Sequence, residues 1–191
     1  MKILPIYTYG FEILRKKTTP LTKVDDNIIK LIPEMYATMN RASGIGLAAP
    51  QIGKDIALTV IDISKIEGEE KQKPLTLINP KIIDFHGECI MEEGCLSIPG
   101  VRADVERPKT IYLEYRDLDM NKKSVELKGI ISRVAQHEID HLNGILFLDH
   151  LKKDQKKIFK DRLTDIRKGD IEVSYLLAEI KKPSRQKKKS A

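Results

Sequence analysis

An α+β fold, with antiparallel β-sheets around a buried central helix and a further helix towards the C-terminus, is what this 191-residue sequence predicts. Three observations lead there. Short runs rich in β-branched and aromatic residues, bounded by turn residues, occupy the middle of the chain. Ile130 to Leu142 is apolar nearly all round a helical wheel, the pattern of a helix packed on every side. From Leu151 onward the chain turns basic, with 14 Lys and Arg against 6 Asp and Glu, whereas the preceding residues carry 20 against 22. The basicity therefore belongs to a C-terminal appendage and not to the body. One domain is expected, with its core in residues 1–150, a basic helical extension over 151–180 and a disordered basic tail over 181–191.

Each element follows from local chemistry. Val24 to Ala42 places Ile28, Ile29, Leu31, Ile32, Met35 and Met39 near helical period, with Asp25 or Asp26 as N-cap. Pro33 interrupts that pattern, so a kink or a late start near Ile32 is predicted. Ser43 to Gly53 holds three glycines and a proline, which exclude a long regular element and predict a loop whose backbone can be approached closely. Ile56–Ile63, Thr76–Ile78, Lys81–Phe85, Thr110–Tyr115 and Lys123–Leu127 read as strands, with a hairpin turn over Asp117–Asn121. Gly144 takes a stop position after the Ile130–Leu142 helix. Asp154–Arg167 reads as a polar, basic helix, and Ile171–Ile180 as a short strand or a helix continuation.

Composition narrows the class. With 41% hydrophobic and 32% charged residues, the chain reads as soluble and globular, not disordered or membrane-spanning. Its start, Met1-Lys2-Ile3-Leu4-Pro5, lacks the apolar stretch and cleavage site of a secretory signal, which predicts a cytoplasmic location and reduced cysteines. Cys89 and Cys95 are close enough in sequence to pair, yet in a cytosolic chain a thiolate ligand beside a spare thiol fits better than a lone disulfide.

The chemistry centres on Gln136-His137-Glu138-Ile139-Asp140-His141. In this H-E-x-x-H spacing, His137 and His141 stand one helical turn apart on one face and can bind the same ion, while Glu138 beside them can act as a general base. A chain this long needs no structural metal to fold, so the metal is expected to serve chemistry. A catalytic centre wants three protein ligands and an open position. His150 lies nine residues after His141, which is not the spacing of H-E-x-x-H-x-x-G-x-x-H, because position 147 is Phe. Cys95, within Glu92-Glu93-Gly94-Cys95-Leu96-Ser97-Ile98-Pro99-Gly100, offers a thiolate suited to a soft or borderline divalent metal. His86 and His150 are assigned to solvent or core.

Three segments together, Gly44–Gly53 (GIGLAAPQIG), Glu93–Gly100 (EGCLSIPG) and Gln136–His141 (QHEIDH), closely resemble the signature motifs of peptide deformylases, in order and spacing, from about Tyr9 to Leu151. The resemblance implies a hydrolase that removes the N-formyl group from the N-terminal formylmethionine of nascent polypeptides and releases formate. It makes Cys95, His137 and His141 the ligands of one divalent metal, Glu138 the general acid/base for a metal-activated water, and Gln51 with the Leu96 N–H the donors to the oxyanion. The metal implied is Fe(II) natively, with Zn(II), Ni(II) or Co(II) also suited to one thiolate and two imidazoles. Gly44, Ile45, Gly46 and Gly94 would pair their backbone with the substrate as an added strand. Ile45, Ile130 and Val134 would line the methionine pocket, and Arg102 the path of the following residues. By the same resemblance, the basic helix of Lys152 to Arg167 would dock on the ribosome. Two rivals remain open. One is a zinc endopeptidase of the H-E-x-x-H type. The other is a non-enzymatic RNA-binding module in which Cys89, Cys95, His137 and His141 close a Cys2His2 site, against which stand the C-x5-C spacing, an aromatic content of only 5% and the distance of the basic charge from the ligands.

Overall fold

The computed structural model of the chain describes residues 1–180; the expectation of disorder over 181–191 lies outside them. Helix α1 (Asp26–Arg41) begins where Asp25 accepts the Asn27 and Ile28 N–H groups at 3.0 and 3.1 Å. It runs through Pro33 without a break, which corrects the late start near Ile32. Proline deprives the Ile29 carbonyl of its helical donor, but Pro33 and Ile29 both lie on the exposed face, where water can satisfy that oxygen.

The stretch after α1 is also more regular than expected. Gly46–Ala48 forms a short strand, β1, and Ala49–Ile52 a 3-10 turn, where the glycine content predicted only loop. Strands β2 (Leu58–Ile61), β3 (Leu75–Cys95), β4 (Ile98–Arg116) and β5 (Lys122–Lys128) complete one antiparallel sheet in the order β1-β2-β3-β4-β5. Both β3 and β4 exceed the predicted segments by far. Beyond Glu88 the arm they share buries one face, through Glu93 on β3 and Val101, Val105 and Arg107 on β4; Glu93 and Arg107 are charged, so the alternation on that face is not a purely apolar one in the sequence. Register shifts fall between Ile78 and Lys81, between Ile82 and Asp84, and between Gly94 and Cys95, and the arm closes where Cys95 faces Ile98 across the two residues Leu96 and Ser97. The turn over Asp117–Asn121 is present as expected, with Asp117 Oδ1 accepting from the Asp119 and Asn121 N–H groups.

Helix α2 (Gly129–Leu142) is buried along almost its whole length. Its exit needs Gly144: the Ile145 N–H donates to Asp140 O at 2.9 Å and the Gly144 N–H to His141 O at 3.2 Å, a left-handed close at φ +73°. A Cβ there would sit 2.6 Å from Arg15 O. Three packed clusters surround the helix. One joins α1 to β1 and β2 through Met35, Met39, Leu47 and Leu58; a second joins α2 to β2–β5 through Leu77, Ile111, Leu113 and Ala135; a third gathers Leu14, Ile98, Phe147 and Ile166.

The basic extension is not one helix but two, α3 (Lys153–Ile158) and α4 (Lys160–Lys168), separated at Phe159. Ile171–Ile180 is no helix continuation. It runs extended enough for a parallel bridge between Leu177 and Ile6, in which Ile6 N–H donates to Leu176 O and Ala178 N–H to Ile6 O. The first and last described segments thereby close on one another.

Candidate metal centre

Helix α2 presents His137 and His141 on one face because they are four residues apart, and the rings sit 5.0 Å centre to centre. Cys95 arrives from the end of β3, at the register shift that turns the hairpin tip towards the helix. Its Sγ lies 3.2 Å from His141 Nε2, and one donor atom from each of Cys95, His137 and His141 falls within 4.8 Å of the others. Among the described residues this is the one group of three such side chains that converges in this way. His150 is not part of it; its Nε2 meets Asp140 Oδ2 at 2.7 Å. His86 is exposed beside Tyr112. Cys89 lies higher on β3, opposite Arg107, and both cysteines are free thiols.

Glu138 is 4% exposed and its Oε2 has no hydrogen-bond partner in the protein, nor has His141 Nδ1. Burial pushes the Glu138 carboxyl up to about 7, so a proton moves on or off it near neutral pH. Gln51, from the 3-10 turn, is fixed in orientation. Its Oε1 accepts the Ala48 N–H at 2.7 Å, which turns Nε2 towards Ser97 Oγ at 3.3 Å and Cys95 Sγ at 3.6 Å. One thiol, two imidazoles and a buried carboxylate oxygen lacking a donor suit a divalent ion with a water or substrate atom beside it.

His141, 1% exposed, is buried beside Cys95, His137, Glu138 and Gln51, which line a cleft of about 710 Å³. Every position expected to meet substrate lines it: Gly44, Ile45, Gly46, Gly94, Arg102, Ile130 and Val134, together with Gln51, Leu96 and Tyr175. Strand β1 is the edge of the sheet on that side, so one row of its backbone groups is left for another strand.

A family model described as polypeptide deformylase matches residues 3–157. The chain belongs to the polypeptide deformylase family. Among curated relatives, the peptide deformylase of Chlorobium phaeovibrioides is 50% identical over 177 residues, 92% of this chain and 93% of the relative, and that of Pelodictyon phaeoclathratiforme is 48% identical over 178 residues, 93% and 94% respectively. The crystal structure of a peptide deformylase from Legionella pneumophila superimposes with a TM-score of 0.80 at 36% identity, covering 88% of this chain and 98% of that one. The peptide deformylase of Thermus thermophilus gives 0.80 at 36%, covering 88% and 100%. The chain is thus an enzyme of a metal-dependent hydrolase family, and its Cys95–His137–His141 cluster is where a metal can be held.

Several side chains that build this deformylase-family site carried no functional assignment in the sequence. Glu93, 5% exposed, accepts from Arg107 Nε at 2.6 Å and Arg133 Nη1 at 2.9 Å, and its Oε2 lies 2.9 Å from His137 Nδ1. That contact occupies one ring nitrogen and leaves Nε2 for the ion. Arg107 also binds Asp140, which holds His150, so a buried chain of alternating charge runs from the protein's edge to a ligand. Burial works to raise the Glu93 carboxyl, but His137 and Arg107 outweigh it and hold the group well below the ordinary carboxylate range. Arg133 was detectable in principle, four residues before His137 on the same face; nothing in the sequence singles out Arg107.

Gly46 has a purpose beyond backbone pairing. A Cβ there would run into the Glu138 carboxylate and come within 2.8 Å of Val134 Cγ1. Gly46→Ala is expected to displace Glu138 and cut turnover by at least about 100-fold, the scale of losing a positioned general base, while metal content holds. Near-parental turnover in a metal-replete variant would show that β1 yields instead.

Proposed function

We propose that this chain removes the N-formyl group from the N-terminal formylmethionine of nascent polypeptides, releasing formate. The observation that carries this reading is the convergence of Cys95, His137 and His141 within 4.8 Å, at a cleft that Cys95 and His137 line together with Glu138 and Gln51. Cys95 Sγ and the two imidazoles would hold the ion, Fe(II) natively, and a bound divalent ion supplies Lewis acidity that makes water a nucleophile near neutral pH.

The protein's own groups do the rest. Glu138, buried and titrating near 7, takes the proton of the attacking water and returns it to the leaving amine nitrogen. Gln51 Nε2 and the Leu96 N–H donate to the oxygen on which charge develops, donors that typically contribute about 2.7–4 kcal/mol each. The substrate backbone adds along Gly44–Gly46, the segment that leads into the edge strand β1, so recognition is independent of most side chains. Ile45, Ile130 and Val134 supply the apolar wall for methionine, and Arg102, 69% exposed in its side chain, stands at the mouth.

Two tests separate this reading from its rivals. Formyl-Met-Ala-Ser should be turned over while acetyl-Met-Ala-Ser and internal peptide bonds are not; cleavage of an internal bond would favour an endopeptidase. Cys89→Ser should keep its full complement of metal, since Cys89 is not among the converging ligand atoms; metal loss would support a closed Cys2His2 site.

We further propose that the basic extension meets the ribosome through its exposed lysines, Lys152, Lys153, Lys157, Lys160 and Lys168, because Arg162 and Arg167 are engaged by Pro99 and Tyr9. Replacing these five by Glu should abolish co-sedimentation with ribosomes while leaving activity on tripeptides; undiminished co-sedimentation would sink the idea. Deleting residues from Leu151 onward is the poorer test, since it also strips Ile166 from the core.

A further inference from the structure

The hairpin tip that supplies Cys95 and Leu96 is held from outside at three of its carbonyls. Tyr9 N–H donates to Ser97 O at 2.8 Å, Arg162 Nε donates to Pro99 O at 3.0 Å, and the hydroxyl of Tyr175 donates to Leu96 O at 2.8 Å. On the other side of the cleft floor, Tyr7 N–H donates to Gln51 O at 2.7 Å. The segment bearing Tyr175 is itself tied to Ile6 by the bridge at Leu177. The two ends of the described chain thus form one strap behind both Gln51 and Leu96. Of these contacts, that of Tyr175 is made by a side chain whose residue also lines the cleft, and it lies beyond the segment 3–157 that defines the family match.

We infer that Tyr175 is a positioning residue for the reaction proposed above: by holding the Leu96 carbonyl, its hydroxyl fixes the hairpin tip so that the Leu96 N–H points at the reacting oxygen. The inference rests on that reading of Leu96. The N–H of Leu96 lies in the Cys95–Leu96 peptide and its carbonyl in the next one, and the two planes meet at the Leu96 Cα in a two-residue loop, so anchoring the Leu96–Ser97 peptide gives the unit that carries the N–H a fixed end to turn against. Preorganised donors are effective because they need no reorientation as charge develops. Tyr175 suits a permanent anchor: burial, with the neighbouring Cys95 adding to it, pushes its phenol up to about 12, so the hydroxyl remains a donor at any working pH.

The test is Tyr175→Phe, which keeps the ring and removes only the donor, in the full-length metal-loaded protein. We expect kcat and kcat/KM for formyl-Met-Ala-Ser to fall together by about 3- to 10-fold, the range of one modest hydrogen bond, with KM unchanged. Metal content and Tm should match the parent. In the zinc-loaded protein the backbone 15N resonance of Ser97 should move, because a hydrogen bond to the Leu96 carbonyl polarises the nitrogen of the same peptide. Parental kinetics with an unmoved Ser97 resonance would overturn the inference, as would a loss of activity that tracks metal loss or a lowered Tm. An inactive parent would instead sink the proposed reaction, and the Ser97 resonance would then still report whether the strap holds the tip.

Discussion

Glu93→Gln is expected to destabilise the protein by about 3–5 kcal/mol, roughly 10 °C in Tm, because it leaves Arg107 and Arg133 buried without their counter-charge. The two guanidiniums are 4% and 5% exposed in their side chains, so water cannot replace the carboxylate. The same change frees His137 Nδ1 from its 2.9 Å partner. Loss of such an orienting contact typically lowers metal affinity by about 10- to 100-fold, which competition with a chelator would measure. Acid has a related effect. Since the Glu93 carboxyl is held below its ordinary range in the fold, its stabilising contribution is complete above the unfolded value of about 4.3 and is lost as pH falls towards the folded one. The stability gap between parent and Glu93→Gln should therefore narrow as the pH is lowered below about 4. Equal Tm for the two proteins at neutral pH would mean that the arginines find other partners.

Glu138→Gln is expected to lower kcat by about 100- to 10,000-fold, the contribution of a positioned general acid/base. Glutamine preserves shape and donates where the carboxylate would accept, and Glu138 makes none of the hydrogen bonds that link the ligands to Arg107. Metal content and Tm should accordingly stay near the parent, in contrast to Glu93→Gln. On the proposed mechanism the two variants should separate cleanly, Glu93→Gln through the assembly of the site and Glu138→Gln through the proton. Turnover of Glu138→Gln within tenfold of the parent would assign the proton transfer elsewhere.

Helix α2 and its histidines were legible in the sequence because the H-E-x-x-H spacing and an all-round apolar pattern constrain the same residues. Cys95 was legible through its framing by Gly94 and Pro99, though nothing local could say that a register shift would turn it onto α2. What stayed hidden depends on partners distant in sequence. Strand β3 between Gly87 and Cys95 is paired with β4 and turns one face inward, but the buried residue on that face is the charged Glu93, so the apolar alternation that marks a strand is missing. Arg107 and Glu93 are charged residues that elsewhere would be solvated; only the fold brings them within 2.6 Å and buries both. Tyr175 gains its place from a bridge to Ile6, a contact that spans nearly the whole described chain. Pro33 misled because propensity assigns its cost without knowing which face of α1 meets water.

The reaction is tested most directly by formate release from formyl-Met-Ala-Ser, using protein purified anaerobically and loaded with Fe(II) or Ni(II), with the free amine counted alongside. One formate and one methionyl amine per substrate, dependent on the metal and lost in Glu138→Gln, is the expected result. A metal-replete, folded parent that releases no formate would contradict deformylation as the chemistry of this site.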